Sequence, residues 1–338
     1  MTKILIIKLG ALGDVVRTLP VLKAIKQKYP DSTINWITKP NAKDIVDSSP
    51  YVDKTITTDE IKNQEHTEKY NLLYNFDIDE EATSLAQEIK SDIKKGFCSD
   101  EGFASAFNFP AEYYLNTLFD DKLKKQNKKT YQQMMFDAAE LVYEKQHHPI
   151  HLSKENIKYA ESYFNENNIP KKNLLGIHMG AGSRWASKKW HKHMLVDFIK
   201  KAHREGYNIL LFGGPNEKQE HEKIYEELKK QGIKIYINNP SGTIKQFASL
   251  VNLCNIMICS DSLALHISLS LNKPTIALFF CTSPHEVEDY GLLKKIISPK
   301  LYKYFPEKMD QYSEELVKSI SPEDVLNKIK QIENETSS

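Results

Sequence analysis

Short apolar runs alternate with longer amphipathic stretches along the second half of the chain. LLGIHMG precedes HMLVDFIKKAHREG, NILLFGG precedes EKQEHEKIYEELKKQG, and IMICSD precedes SLALHISLSL and TIALFF. Runs of this length fit strands, and the stretches between them have helical spacing. Strand–helix alternation of this kind is typical of a parallel sheet with right-handed crossovers. The second half is therefore predicted to be an α/β domain.

The first half shows the same alternation, with additional segments between the predicted elements. Strands are predicted at residues 3–9 (KILIIKL), in INWIT, at 70–77 (YNLLYNFD) and, more weakly, at 93–98. We interpret residues 99–130 as an irregular lid or acceptor-facing insertion, and a helix is predicted over 131–142.

The length of 338 residues is comfortable for two cores. We expect two doubly wound α/β domains that face each other across a cleft. The first is assigned to residues 1–165 and the second to 166–338, with the option that the last helix crosses back to the first domain.

The composition favours some classes of protein over others. Lys and Arg number 46 against 45 for Asp and Glu, which argues against a chain built mainly to coat nucleic acid. The four cysteines have no CxxC spacing, so we expect buried thiols in a reducing compartment. Neither a signal peptide nor a membrane span is recognisable. A cytoplasmic protein is predicted, with the option of peripheral contact with a membrane.

The opening stretch IIKLGALGDVVRTLP runs from a strand through Gly10 and Gly13 into Asp14. A diphosphate at this turn would be repelled by the Asp14 carboxylate. We therefore interpret the glycines as a tight turn that aims Asp14 into the cleft, where it accepts a proton from a hydroxyl nucleophile. The alternative is that Asp14 merely caps a helix or turn.

A small-residue loop with several cations follows the strand LLGIHMG. It carries Ser183, Arg184, Lys188 and Lys189, and ends at Trp190. Exposed backbone N–H groups and lysines suit a diphosphate without requiring a metal ion. The alternative is a solvated basic loop with Trp190 packed on the core.

The third candidate segment is CSDSLALHISLSLNKPTIALFF, residues 259–280. Asp261 and Ser262 open a helix whose unpaired N–H groups attract an anion, and His266 lies about one turn further on. The alternative is an ordinary core helix with an interior histidine. In FGGPNEKQE, Glu217 either accepts hydrogen bonds from ribose hydroxyls or complements the helix dipole.

Together these segments resemble the lipopolysaccharide heptosyltransferases, glycosyltransferase family 9. The matching motifs, in order, are Gly13-Asp14 with Thr18-Leu19-Pro20, then Lys188-Lys189-Trp190, Gly213-Gly214-Pro215-Asn216-Glu217, Ser260-Asp261-Ser262 with His266, and Lys273-Pro274-Thr275-Ile276-Ala277-Leu278-Phe279.

The resemblance implies a GT-B fold with two Rossmann-like domains, and inverting, metal-independent transfer from a nucleotide-diphospho-sugar, usually ADP-heptose. It places the catalytic carboxylate on Asp14. The implied donor-site residues are Ser183, Lys188, Glu217, Asp261, Ser262 and His266. The implied acceptor is a lipopolysaccharide-core or related lipid-linked glycan, which is the reason to consider contact with the inner face of the cytoplasmic membrane.

Two positions depart from the family pattern. Leu263 replaces a glycine, and Phe280-Cys281 replaces a Gly-Pro pair. We expect the Leu263 side chain to restrict backbone approach to a diphosphate, and Phe280 and Cys281 to reshape the pocket wall. The donor sugar, its base, the acceptor and the oligomeric state stay open at this stage. A nucleotide-sugar epimerase of the same fold and a non-catalytic nucleotide-sugar-binding protein are the alternatives.

Overall fold

The computed structural model describes residues 1–61, 68–180 and 185–337. Its contacts divide the chain into two compact units. The first comprises Met1–His151 with His285–Glu288, and the second comprises Leu152–Pro284 with Asp289–Ser338. The domain boundary at 165/166 and the acceptor and donor roles of the two domains stay predictions.

The first unit is a twisted sheet flanked by helices. Its elements in chain order are β1 (Lys3–Ile7), α1 (Leu12–Thr18), α2 (Val21–Lys28), β2 (Thr33–Thr38), α3 (Lys43–Val46), β3 (Lys54–Thr57), α4 (Thr58–Ile61), β4 (Tyr70–Asn75), α5 (Glu80–Glu88), β5 (Ser91–Asp100), β6 (Phe103–Ala106), α6 (Phe109–Phe119), α7 (Asp121–Gln126) and α8 (Tyr131–Ala139).

In the described part of this unit the strand order is β3-β2-β1-β4-β5-β6. The pairs are parallel except β5 with β6. From Ile4 to Ile7, β1 is fully buried, as expected for a central strand covered on both faces. The strand order reverses between β1 and β4, so the carboxyl ends of these two strands mark the topological switch point where ligands bind in open α/β sheets.

The second unit repeats this architecture. Its elements in chain order are α9 (Lys154–Glu166), β7 (Leu174–His178), α10 (Lys192–Arg204), β8 (Asn208–Phe212), α11 (Lys218–Lys229), β9 (Tyr236–Ile237), α12 (Ile244–Leu253), β10 (Ile256–Ser260), α13 (Leu263–Ser270), β11 (Thr275–Phe279), β12 (Leu293–Ile297), α14 (Leu301–Tyr304), α15 (Glu314–Val317) and α16 (Pro322–Ser337).

The second sheet is parallel throughout its described strands, in the order β12-β11-β10-β7-β8-β9. Its switch point lies between β7 and β10. The C-terminal helix α16 packs on α10, β11 and β12 within the same unit. The predicted α/β fold class, with two parallel Rossmann-like sheets, is therefore confirmed.

The prediction that residues 99–130 are irregular is wrong, because they form β6, α6 and α7. Helix α6 begins after Asn108 with Pro110 in its first turn, where a missing N–H costs nothing. Its aromatic residues are only moderate helix formers, which hid the helix in the sequence. Contacts with α8 hold α6 in place.

The predicted burial of the four thiols is confirmed. Burial raises the pKa of Cys254 and of Cys281 to about 12, so both are protonated at neutral pH. Across residues 1–61, 68–180 and 185–337, no helix has the length and apolarity that crossing a bilayer requires.

Candidate functional site: a polar cluster at each switch point

The first cluster is centred on Asp14, in the first turn of α1 just after β1. The helix is preceded by Ala11, which has no capping side chain, and the Asp14 carboxylate pairs with Arg17 instead. Arg17 Nη2 and Nε lie 2.8 and 3.0 Å from Asp14 Oδ1. The Asp14 side chain is 34% exposed and the Arg17 side chain is 16% exposed. The carboxylate is therefore held in place and still partly open to solvent.

A buried ion pair holds the turn that leads into α1. Lys8 Nζ lies 3.5 Å from Asp77 Oδ2 and donates a hydrogen bond to the Phe76 carbonyl at 3.0 Å. The same Asp77 oxygen accepts the N–H groups of Leu9 and Gly10, at 2.9 and 2.5 Å. A Cβ on Gly10 would lie 3.1 Å from both Asp77 Oδ2 and Lys8 Nζ, so glycine allows this close approach.

Lys8 is charged at neutral pH. Burial alone would lower its pKa, but the neighbouring Tyr131, Asp77 and Asp14 outweigh burial and raise the pKa of Lys8 above its ordinary value. The first switch point therefore joins β1, β4 and α1 through charged groups.

The second cluster lies at the carboxyl ends of β7 and β10. Lys188, which ends a short 3₁₀ turn, places Nζ 3.1 Å from Asp261 Oδ2. His266 Nε2 lies 4.0 Å from Asp261 Oδ1. Lys188 and Asp261 are each about one-sixth exposed. An ammonium group has three donors, so Lys188 can keep Asp261 as a partner and still donate to an anion.

Ser262 contacts His178 at the end of β7, and Glu217 lies near the backbone of Gly180 just beyond that strand. The hydroxyl of Ser262 lies 3.4 Å from His178 Nδ1. A Cβ on Gly180 would lie 3.0 Å from the His178 ring and 3.1 Å from the Glu217 carboxyl carbon, so Gly180 separates these two side chains. Glu217 accepts the Gly214 N–H at 2.9 Å. This bond closes the turn before α11. The two roles weighed for Glu217, ribose contact and complement to the helix dipole, stay predictions.

Two histidines of this unit, the partly buried His178 and the buried His221, are neutral at pH 7. Burial lowers the pKa of His178 to about 4, with a smaller contribution from His221. Burial also lowers the pKa of His221 to about 4. A neutral His178 offers Ser262 one donor or acceptor nitrogen and adds no positive charge, so the charge of this cluster comes from Lys188.

Two hydroxyls near the same edge are buried without a hydrogen-bond partner among the described residues. They are Ser260 Oγ at the end of β10 and Thr282 Oγ1 just beyond β11. Because a buried hydroxyl without a partner is costly, such groups are found where a ligand or water completes the bonding.

The structure brings Lys188, Asp261 and His266 together as predicted. Ser183 lies outside the described residues. Trp190 is buried and donates to the Ile320 carbonyl at 3.1 Å, which confirms the core alternative for this side chain.

The departures from the family pattern fall in two places. Leu263 begins α13 and is partly buried. Phe280 and Cys281 are buried in the apolar core of the second unit, and their effect on the pocket wall stays a prediction. They follow the buried strand β11 without a break, and their apolar character keeps them in the core.

Sequence reasoning missed several polar neighbours of the predicted residues. In the first unit these are Lys8, Arg17, Asp77 and Tyr131, and in the second unit the main one is His178. A signal existed for Lys8, Asp77 and His178, since each is a polar residue at the end of an apolar strand.

Solved structures of other proteins share this architecture. The glycosyl transferase family 9 structure from Veillonella parvula has a TM-score of 0.76 at 18% identity, over 98% of this chain and 96% of that one. The Escherichia coli ADP-heptose LPS heptosyltransferase II has a TM-score of 0.69 at 15% identity, over the full length of both chains. The fold is the GT-B fold of these glycosyltransferases.

Sequence comparison then identifies the family. Residues 82–317 match the model of glycosyltransferase family 9 (heptosyltransferase). Lipopolysaccharide heptosyltransferase 1 of Campylobacter coli is 24% identical over 351 aligned positions, which cover 98% of each chain. The chain belongs to glycosyltransferase family 9 and is a glycosyltransferase. The matched region includes the Lys188–Asp261–His266 cluster, whereas Asp14 precedes it.

Proposed function

We propose that this protein transfers a heptose from ADP-heptose to a hydroxyl of a lipopolysaccharide-core or related glycan, with inversion and without a metal ion. The observation that carries the proposal is that each unit gathers polar groups at its own switch point. The first unit offers the Asp14 carboxylate, and the second offers Lys188 beside the first turn of α13.

On the donor side, Lys188 and the α13 N-terminus suit a diphosphate. The ammonium group and the unpaired N–H groups of the first helical turn favour negative charge. Ser262, at the N-cap position, adds a hydroxyl. As the sugar bond breaks, charge grows on the leaving phosphate, and donors already in place stabilise it. Ser183 is proposed as a further donor on the preceding loop, and Glu217 as a contact for the ribose.

On the acceptor side, Asp14 is proposed as the general base. Its carboxylate takes the proton of the acceptor hydroxyl while that oxygen attacks the anomeric carbon. The nucleoside diphosphate leaves from the opposite face, so the configuration inverts. General-base assistance of this kind is typically worth about 10²–10⁴-fold in rate.

The choice of donor and acceptor is supported by relatives. The E. coli structure is titled an ADP-heptose LPS heptosyltransferase, and the C. coli relative is named a lipopolysaccharide heptosyltransferase. For the metal, the described residues contain no group of three or more His, Cys, Asp and Glu side chains placed to hold an ion. The assay below tests, with and without EDTA, whether transfer needs a metal ion.

We further propose that the first unit contacts an anionic membrane surface on the cytoplasmic side, through α6 and α7. Phe109, Glu112, Asn116 and Phe119 are exposed and lie at i, i+3, i+7 and i+10, which is one face of α6. The two phenylalanines are 82% and 73% exposed. Helix α7 follows directly with lysines that favour acidic headgroups.

Transfer is tested with ADP-heptose and delipidated lipopolysaccharide from a heptose-deficient strain, with and without EDTA. The proposal predicts heptosylated acceptor and ADP in equal amounts, unaffected by EDTA. Conversion of the donor without acceptor would instead identify an epimerase. Binding of ADP-heptose without turnover on this or any related acceptor would identify a binding protein.

The Lys188→Ala variant tests the donor site. Loss of a charge-assisted hydrogen bond costs about 1.5–3 kcal/mol, so the Kd for ADP should rise about 10- to 150-fold in calorimetry. Lys201→Ala is the matched control, because it removes a lysine from an exposed ion pair with Glu323. Equal ADP affinity in the Lys188 variant and the wild type would contradict the assignment.

A further inference from the structure

Arg17 is held between an acid and an aromatic ring. Its Nε and Nη2 both engage Asp14 Oδ1, and its guanidinium carbon lies 3.7 Å from the centre of the Tyr131 ring. At this distance the cation sits on the ring face. An exposed ion pair between helix neighbours has neither of these constraints, because its long side chains remain mobile.

The ring beneath Arg17 is itself fixed. Tyr131 is the first residue of α8 and is 1% exposed. Its hydroxyl lies 3.1 Å from Thr18 Oγ1, and the Thr18 hydroxyl donates to the Asp14 carbonyl at 2.7 Å. Tyr114 of α6 packs edge-on against the ring at a centroid distance of 5.9 Å. The support therefore comes from helices that are distant from α1 in the sequence.

The charges around Asp14 come from several elements. Arg17 lies on the same helix, and Lys8 reaches the region from the end of β1. Tyr131 of α8 and Tyr114 of α6 also interact with the charge of Lys8, as does Asp77. Lys8 is already matched by the buried Asp77 carboxylate at 3.5 Å. Arg17, in contrast, donates its hydrogen bonds to Asp14 itself.

We infer that Arg17 is a positioning residue for the reaction, with Tyr131 as its support. This rests on the proposed function, in which Asp14 is the general base. Arg17 keeps the carboxylate ionised and oriented before the acceptor arrives, so that the hydroxyl meets a base in a single orientation. Two N–H groups of one planar guanidinium hold Asp14 Oδ1 from two directions, which the single ammonium of a mobile lysine would not do.

The test is the pH profile of kcat/KM, measured with the donor and delipidated acceptor used above. A neighbouring cation favours an ionised carboxylate, so Arg17→Ala should move the acid limb up by about one pH unit. At pH 7, kcat should fall about 10- to 100-fold, with the donor KM within about threefold. Arg17→Lys should keep the acid limb near that of the wild type, because the positive charge remains. It should recover only part of kcat, because the two N–H donors of the planar guanidinium are lost.

Two variants of Tyr131 distinguish the role of its ring from the role of its hydroxyl. Tyr131→Phe keeps the ring under the guanidinium and should keep the acid limb in place. Tyr131→Leu removes the ring, and combining it with Arg17→Ala should cost little more than Arg17→Ala alone, since both act through one contact. Lys3→Ala is the matched control. It removes a lysine from an exposed ion pair with Glu68 at the opposite end of β1 and should leave the profile unchanged.

An acid limb of Arg17→Ala that coincides with wild type would overturn the inference, whatever happens to kcat or to the melting temperature. A melting temperature that falls while the pH profile stays in place would reduce Arg17 to a structural residue. Failure of the proposed function looks different. In that case Asp14→Asn itself would retain turnover, and the Arg17 variants would not be needed to decide.

Discussion

His178 and His221 make the second unit sensitive to acid. Both have pKa values of about 4 because they are buried. In the unfolded chain a histidine has a pKa near 6.5, so on acidification the unfolded state binds protons first. Stability is therefore complete above about pH 6.5 and is lost as the pH falls toward 4. Each histidine contributes on the order of 1–3 kcal/mol to this loss.

The prediction is a free energy of unfolding that is lower at pH 5 than at pH 7.5 in urea titrations. His221→Gln should make this difference smaller. His193→Gln, a change at an exposed histidine of α10, serves as the control and should leave the difference as in the wild type. A pH dependence equal in the His221 variant and the wild type would show that this imidazole is not held neutral by burial.

Site residues could be predicted from the sequence where they belong to short motifs at strand ends. They could not be predicted where their contacts come from residues that are distant in the sequence. Lys188, Asp261 and His266 lie in short motifs at strand ends, and the fold brings those ends together. The support for Arg17 comes from Tyr131, more than a hundred residues away, as the bond between Thr18 and Tyr131, separated by 113 positions, illustrates. No local pattern encodes such a contact, because it depends on how α8 packs against α1.

At the scale of elements, α6 carries the proposed membrane contact. Replacing both Phe109 and Phe119 by Ser removes two exposed aromatic side chains without disturbing the buried face of the helix. Burying a phenylalanine gains about 2 kcal/mol, so the double variant should bind vesicles with 30% anionic lipid at least about tenfold more weakly in a flotation assay.

Val142→Ser is the matched control, since Val142 is 73% exposed in the same unit. Equal flotation of the double variant and the wild type would exclude α6 as the contact. The sequence did not predict α6, because Phe109 and Phe119 place large apolar side chains on its exposed face and weaken the helical periodicity. The central strands with continuous apolar runs, such as β1, β4, β7 and β10, were predicted closely, whereas β3, β6 and β12 were not predicted.

For the whole molecule, two copies of one topology could be anticipated from the strand–helix alternation in each half. What could not be anticipated is that residues 285–288 join the first unit. The Tyr143 hydroxyl donates a hydrogen bond to the Glu288 carboxylate, and Lys128 Nζ lies 2.9 Å from His285 Nε2. These contacts link residues that are distant in sequence and carry no local signal.

The proposed reaction needs both switch points, the base in the first unit and the diphosphate site in the second. The most direct measurement combines kcat and ADP binding for Asp14→Asn. We expect kcat to fall at least about 100-fold while the Kd for ADP stays within about threefold of wild type. Turnover close to that of the wild type would contradict it, because the carboxylate would then have no part in the chemistry.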